Sequence, residues 1–162
     1  MKLYIKQKVF SLNEKFTVKN GLGDDVFFVE GQFLSIPKQF YIYDSLNNQV
    51  ASIKKKLLTF MPHMLISTAG RTLEIVKDFT LLSQHYTIPA IGWDIRGDFT
   101  SHEYSISHGN EIIASISKEW LSWGDSYVAD IQNDYDALLV LCVMICIDYV
   151  NAQSQSAAYS PA

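Results

Sequence analysis

Apolar and polar positions alternate along most of the chain, with the period of two that half-buried strands show. Short runs rich in Val, Ile, Phe and Tyr recur between turn signals, at a spacing typical of an all-β sandwich or barrel. The predicted strands centre on residues 3–5, 9–10, 16–18, 26–29, 40–43, 49–53, 64–66, 72–76, 85–88, 104–106, 112–116 and 127–131. The polar stretch 44–48 between two of these runs predicts a hairpin turn.

One segment breaks this alternation. The run Ala137–Ile147 is apolar at every position and lies between Asp136 and Asp148. It has no Gly or Pro, and Asp134 is a helix-capping residue type, so we predict a central helix over about 135–151. A helix that is apolar all round must be buried on every side, and a barrel closed around it would also remove exposed strand edges. A buried strand pair is the alternative, because Val and Ile also favour strands.

The length of 162 residues predicts one domain, which we assign to residues 1–152. The small and polar residues 153–162 predict a disordered tail. The sequence also repeats weakly at an offset of 63 residues, since Tyr41 matches Tyr104 and Ala51-Ser52 matches Ala114-Ser115. Two related β-meanders would produce this repeat, and chance similarity among amphipathic strands is the alternative.

Composition narrows the functional class. With 48% hydrophobic and 19% charged residues the chain is too apolar to be disordered, and a net charge of −4 disfavours a basic nucleic-acid binder. The charge is uneven, at +4 over residues 1–81 and −8 over residues 82–162. Two cysteines are too few for a disulfide framework. No apolar stretch follows the N-terminal lysines, and the longest apolar run is shorter than the roughly 20 residues of a membrane span, so we expect a cytoplasmic protein that does not cross the membrane.

Catalytic signatures are missing from the sequence. It has no glycine-rich phosphate loop, zinc motif or hydrolase elbow, so we predict no catalytic residue, metal or cofactor. Cys142 and Cys146 would share a helix face, as buried small hydrophobes or as soft-metal ligands, and we favour the first. His102 and His108 could meet across a hairpin to bind metal, although exposed loop histidines are the simpler interpretation. Asp148 is either a titrating group inside the barrel or a hydrated or paired carboxylate at its mouth.

Two features suggest a binding surface. Lys54, Lys55 and Lys56 form the only basic run, and such a run attracts anionic lipid headgroups. A solvated strand end that resists aggregation is the alternative. Trp120 and Trp123 form a candidate interface with a partner or a membrane, or else an aromatic plug at one barrel end.

Several motifs, in this order, resemble the bacterial LURP-one-related proteins of the YxjI type. They are residues 5–11, 15–18, 25–31, 34–36, 50–54, 56–62, 125–127 and the closing Ile147-Asp148, so the resemblance covers roughly residues 1–150. It implies the tubby C-terminal-like fold, a closed antiparallel barrel of about twelve strands threaded by a hydrophobic C-terminal helix and distantly shared with phospholipid scramblases. Tubby proteins bind phosphorylated inositol lipids through basic residues, but this chain has no residue-by-residue match to that site.

These observations together predict a non-enzymatic binding or scaffold domain. Its expected partner is an anionic membrane surface or another protein, and no nucleic acid is expected. The alternative is a small-ligand-binding protein or an enzyme with its site at a barrel mouth, using Asp148, His102 or His108. Fold alone does not choose between them.

Overall fold

Twelve strands and one long helix make up the part of the chain that the structure, a computed structural model, describes: residues 1–6, 15–32, 36–79, 84–121 and 124–158. The elements are β1 (Lys2–Lys6), β2 (Lys15–Asn20), β3 (Asp25–Gly31), β4 (Gln39–Asp44), β5 (Gln49–Lys55), β6 (His63–Thr68), β7 (Arg71–Phe79), β8 (Gln84–Ile88), β9 (Trp93–Asp98), β10 (Glu103–His108), β11 (Glu111–Leu121), β12 (Gly124–Ile131) and α1 (Ala137–Ala158). Short 3-10 turns lie at Pro89–Ile91 and Asp134–Asp136. The sequence pattern misses β9, because its inward Ile95 lies between charged residues. The strand predicted at residues 9–10 lies outside the described residues.

The strands form one closed antiparallel barrel. Each strand pairs with its neighbours in sequence, and β1 also pairs with β12, with Ile5 opposite Tyr127. Alternate residues point inward, as Met64 and Ile66 on β6 show. The predicted mainly-β barrel is confirmed, and closure leaves no open edge between β1 and β12.

The helix α1 fills the barrel. Its side chains are buried continuously from Leu139 to Asp148, so the alternative of a buried strand pair is wrong. The predicted end at 151 is also wrong, since the helix continues to Ala158 and residues 153–158 are helical where the sequence predicts a disordered tail. Ala and Gln there are good helix formers, and the Ser154 hydroxyl donates a 3.0 Å hydrogen bond to the Val150 carbonyl. Residues 159–162 lie outside the described residues.

The helix together with the turn before it, Asp134–Ala158, has 25 residues and is long and apolar enough, by length and composition, to cross a membrane. In the structure, 67% of its most apolar window is buried inside the barrel. A core helix that is enclosed on all sides has the same composition, because it has no polar face to present.

The two ends of the barrel differ, and we name them by their connections. The turn end holds the turns that follow β2, β4, β6, β8 and β10, together with the start of α1. The loop end is where β1, β3, β5, β7, β9 and β11 finish, and α1 leaves the barrel there. Lys54–Lys56, His102 and Asp148 all lie at or near the loop end.

The internal repeat corresponds to two equivalent hairpins, β4–β5 and β10–β11. The equivalent inward pairs are Phe40–Ile53 and Ile42–Ala51 in the first, and Tyr104–Ile116 and Ile106–Ala114 in the second. Both hairpins shift register just after the second pair, where one residue bulges from β5 and one from β11. Tyr104 is therefore equivalent to Phe40, and its predicted match with Tyr41 is wrong by one residue, which places the two tyrosines on opposite faces.

Candidate functional site at the loop end

The basic run ends β5 at the loop end, and its three side chains have different environments. Lys54 points outward, because its neighbour Ile53 points into the barrel. Lys55 turns toward the helix, where its Nζ donates a 2.8 Å hydrogen bond to Gln153 Oε1 and lies 6.0 Å from the Tyr149 ring centroid. Lys56 Nζ lies 3.1 Å from Glu74 Oε1 on β7. Two of the three ammonium groups, those of Lys55 and Lys56, thus already have partners within the protein.

The connection from β5 to β6 exposes several large apolar side chains directly after this run. We call residues 57–62 the apolar loop. Leu58 and Phe60 are fully exposed and Leu57 is 50% exposed. Residues 55–62 line an open cavity of about 310 Å³. Leu58 has a φ of +60°, an uncommon backbone conformation for a leucine, and it is held there with its side chain in solvent.

Another exposed apolar side chain, which is not part of the apolar loop, lies close to it. Ile36, on the connection between β3 and β4, is 91% exposed. The backbone of that connection joins the basic run, because Lys55 N–H donates a 3.1 Å hydrogen bond to the Lys38 carbonyl. The loop end therefore combines exposed apolar side chains with Lys38 and Lys54.

Glu74 fixes both ends of the apolar loop. Its Oε1 accepts a 2.6 Å hydrogen bond from His63 Nδ1, at the end of the loop, and lies 3.1 Å from Lys56 Nζ, at its start. The hydrogen bond from His63 and then the one from Lys56 lower the pKa of Glu74. The backbone closes the same gap, with Lys56 N–H donating to the His63 carbonyl at 2.9 Å.

A second polar cluster lies where the helix leaves the barrel. Asp148 is only 5% exposed, and its Oδ1 lies 3.1 Å from His102 Nδ1. That contact is an ion-pair distance without hydrogen-bond geometry, so Oδ1 lacks a donor within the described part of the chain. His102 also stacks on the Tyr127 ring, with the centroids 3.8 Å apart. Burial raises the pKa of Asp148, and the neighbouring His102 opposes that rise.

The connection from β9 to β10 holds His102 in place. Asp98 accepts hydrogen bonds from the backbone and hydroxyl groups of Thr100 and Ser101, which lower the pKa of its carboxyl group. The Phe99 ring is buried against the barrel interior, and its carbonyl accepts a 2.8 Å hydrogen bond from Asn151 Nδ2 on the helix. The connection thus straps the last buried turn of α1 to the barrel wall.

The Asp148–His102 pair brings together two residues that the sequence nominates separately. A positive charge on the imidazole would stabilise the Asp148 carboxylate at this distance. The described cavity, however, is lined by residues 55–62 and not by this pair. His108 lies at the other end of β10, against Gly92, so it does not join His102.

The remaining nominated residues are two tryptophans and two cysteines. Trp123 and the side chain of Trp120 lie outside the described residues. Cys142 and Cys146 are buried in α1, and burial raises the pKa of the Cys142 thiol to about 12 and that of Cys146 as well. Within the described residues, no group of three or more His, Cys, Asp or Glu side chains is arranged to hold a metal ion.

Sequence reasoning misses several residues of the site. Leu57, Leu58 and Phe60 could have been found as an apolar stretch directly after lysines, with Pro62 closing it. The inward position of Lys77 follows from the alternation along β7, where Leu73 and Ile75 also point inward, and burial lowers the pKa of its ammonium group. No sequence pattern indicates the contact of Glu74 with His63, because that contact depends on the register between β6 and β7.

Comparison with known proteins agrees with this architecture. The chain is 34% identical, over 151 residues that make up 93% of each protein, to the uncharacterized protein YxjI of Bacillus subtilis (strain 168). A protein of Arabidopsis thaliana solved by X-ray crystallography has the same fold, with a TM-score of 0.62 over 93% of this chain and 90% of that one, at 14% sequence identity. Residues 1–148 match the LURP-one-related family. The chain therefore belongs to the LURP-one-related family.

Proposed function

We propose that this protein is a non-enzymatic domain that binds anionic membrane surfaces through the loop end of its barrel. One observation carries the proposal: Leu58 and Phe60 are fully exposed directly after three consecutive lysines. Exposed apolar side chains beside basic ones are typical of segments that bury the apolar part at the headgroup boundary and hold the charges at anionic lipids.

The apolar side chains are expected to supply most of the affinity. A lysine near an anionic surface contributes about 1 kcal/mol, whereas full burial of a Leu or Phe side chain contributes roughly 1.5–3 kcal/mol. Lys55 and Lys56 already have partners in the protein, which reduces what they add. The lysines would then mainly select anionic over neutral lipid and orient the loop end toward the surface.

The proposal includes a location and a wider kinship. A domain that docks in this way would be cytoplasmic and peripheral to the membrane. Kinship with tubby C-terminal-like domains and phospholipid scramblases is part of the same proposal. It is supported by the closed barrel of twelve strands in the described residues and by the helix that it encloses.

Vesicle co-sedimentation tests the proposal. The whole chain is mixed with phosphatidylcholine vesicles, or with vesicles that also contain phosphatidylglycerol, and the pelleted fraction is measured. We expect pelleting with the anionic vesicles. Phe60→Ser and Leu58→Ser should each weaken it by at least about tenfold, the equivalent of the apolar burial lost. Lys54→Glu should remove most of the preference for anionic lipid.

The matched controls are Leu22→Ser and Leu46→Ser. These leucines are 88% and 80% exposed, but they lie at the turn end, so the proposal expects their variants to pellet like the wild type. Equal pelleting with neutral and anionic vesicles, or none with either, would contradict binding of the loop end to an anionic lipid surface. A protein would then remain as the partner of the loop end. Equal losses of pelleting in the turn-end variants would instead show that any exposed apolar side chain promotes nonspecific binding to the vesicles.

A further inference from the structure

One carboxylate oxygen holds the two ends of the apolar loop. Glu74 Oε1 lies 3.1 Å from Lys56 Nζ and 2.6 Å from His63 Nδ1, and these two residues flank the loop. Between them, the Lys56 amide donates to the His63 carbonyl at 2.9 Å. We call Lys56, His63 and Glu74 the loop clasp.

The net charge of the loop clasp depends on a single imidazole. The Lys56 ammonium and the Glu74 carboxylate cancel each other, and the pKa of Glu74 is lowered, so its carboxyl group stays ionised well below neutral pH. With a neutral His63 the clasp carries no net charge, and with an imidazolium it carries +1. The His63 side chain is partly buried, and its Nδ1 lies 2.6 Å from Glu74 Oε1.

Other charged groups around His63 are few. On β5, Lys54 points to the same outer face, opposite Leu65 of β6. On β7, Asp78 lies beyond Val76, the residue opposite His63, but it faces His85 of β8, whose Nε2 is 3.7 Å from Asp78 Oδ2. Lys54 adds a fixed positive charge, so within the described residues His63 is the group whose protonation changes the charge of the loop clasp.

We infer that the loop clasp is a proton-controlled switch of membrane docking, in which protonation of His63 gives the base of the apolar loop a net positive charge. This inference rests on the proposed function and adds its regulation. Histidine side chains change charge between about pH 5 and pH 8. Acidification should therefore strengthen binding to anionic vesicles, and one added charge near such a surface corresponds to about fivefold.

Vesicle binding measured from about pH 8 to about pH 5 tests the switch. The vesicles contain phosphatidylglycerol, whose phosphodiester stays ionised over this range. The wild-type chain should bind about fivefold more tightly at the acidic limit. His63→Gln should bind at both limits as the wild type does at the alkaline one. Glu74→Gln removes a negative charge from the clasp and should bind about fivefold more tightly at the alkaline limit.

Two controls separate the clasp from general effects. His85→Gln removes another histidine of the same sheet and should keep the wild-type pH dependence. Asp25→Asn changes the net charge as Glu74→Gln does, but at the turn end, where Asp25 pairs with Lys19, and it should leave binding unchanged. Circular dichroism at both pH limits shows that each variant remains folded.

The outcomes distinguish this inference from the proposed function. If the wild type binds equally well across the pH range, or if His63→Gln keeps the pH dependence, the switch is wrong and the docking proposal stands. If Asp25→Asn strengthens binding as much as Glu74→Gln, net charge and not the clasp controls binding. If no vesicle binds at any pH, the docking proposal itself fails.

Discussion

The two ends of the barrel use polar side chains in different ways. At the turn end they bind the backbone of their own turn: Asn20 Oδ1 accepts from the Leu22 and Asp24 amides, and Asp44 Oδ1 accepts from the Asn48 amide. At the loop end they reach distant elements, since Lys55 and Gln153 are 98 residues apart in sequence. The turns after β2 and β4 are therefore built locally, as the Asp98 turn at the loop end is, whereas the contacts of Lys55 and Glu74 exist only in the folded barrel.

The same contrast separates the exposed apolar residues. Leu22 and Leu46 lie on turns with acidic neighbours such as Asp24 and Asp44. The apolar loop lies beside lysines. Exposure alone thus does not mark a lipid-binding end, and it is the charge beside the exposed apolar side chains that differs between the two ends.

The largest difference in stability is expected from buried aromatic packing in a connection. Phe99 is buried at the loop end, with its ring centroid 4.9 Å from that of Tyr86 and 5.3 Å from that of Tyr104. Phe99→Ala should lower the free energy of unfolding by about 3–5 kcal/mol. Leu46→Ala, in an exposed turn, should change it by less than about 0.5 kcal/mol. Urea unfolding measures both, and similar losses would remove the distinction between the ends.

Replacing a glycine that has a positive φ should also destabilise the protein more at the loop end than at the turn end, although the difference is smaller. Gly97 has a φ of +142°, and a Cβ there would lie 2.4 Å from the Glu103 carbonyl oxygen, so strain and a backbone clash combine. Gly23, with a φ of +88° at the turn end, faces open space. We expect Gly97→Ala to cost about 3 kcal/mol and Gly23→Ala about 1 kcal/mol. Thermal unfolding that ranked them in the opposite order would contradict this account.

Asp148 at the loop end and Asp44 at the turn end should give stability opposite dependences on pH. Burial raises the pKa of Asp148, so the folded state binds the extra proton and stability falls as the pH rises from the ordinary value of 3.8 through the raised pKa. Hydrogen bonds from Asn48 lower the pKa of Asp44, so its contribution is complete above 3.8 and is lost as the pH falls through the lowered pKa.

Asp148→Asn tests the loop-end half of that contrast. At neutral pH the variant should be about 1–2 kcal/mol more stable, because the amide keeps the shape of the carboxyl group and has no charge to desolvate. The free energy of unfolding of the variant, measured between about pH 4 and pH 8, should also depend less steeply on pH. Asp44→Asn is the control, because it should change the free energy of unfolding only at the acidic end of the pH range. A destabilised Asp148→Asn would show that the contact with His102 outweighs the cost of burial.

The smallest effects should come from single exposed hydrogen bonds. Asn20→Ala removes two bonds to the backbone of its turn and should cost about 1 kcal/mol. Lys55→Ala removes one exposed hydrogen bond to Gln153 and a distant contact with the Tyr149 ring, and it should cost less than about 0.5 kcal/mol. Hydrogen exchange of the turn amides and of the helix end reports each loss separately. A larger cost at Lys55 would mean that the basic run also anchors the helix.

Part of the candidate site could be predicted from the sequence. Lys54–Lys56 stand out as a basic run, and His102 and Asp148 stand out as polar residues beside predicted core. That His102 meets Asp148 could not be predicted, because the three strands β10, β11 and β12 lie between them in sequence. The exposure of Leu58 and Phe60 escaped prediction for a related reason: an apolar residue in a loop is buried or exposed according to what the rest of the fold places over it.

The sequence by itself determined the architecture. Period-two alternation requires strands with one buried face, and an eleven-residue apolar run requires enclosure, so a barrel around a helix satisfies both. It also determined the local turns, because Asn and Asp side chains bind amides only two to four residues away. Only the tertiary structure decided the register that joins Glu74 to His63, the length of the helix beyond the barrel, and the side chains left in solvent at the loop end. Those features depend on contacts between residues far apart in sequence, which no local pattern encodes.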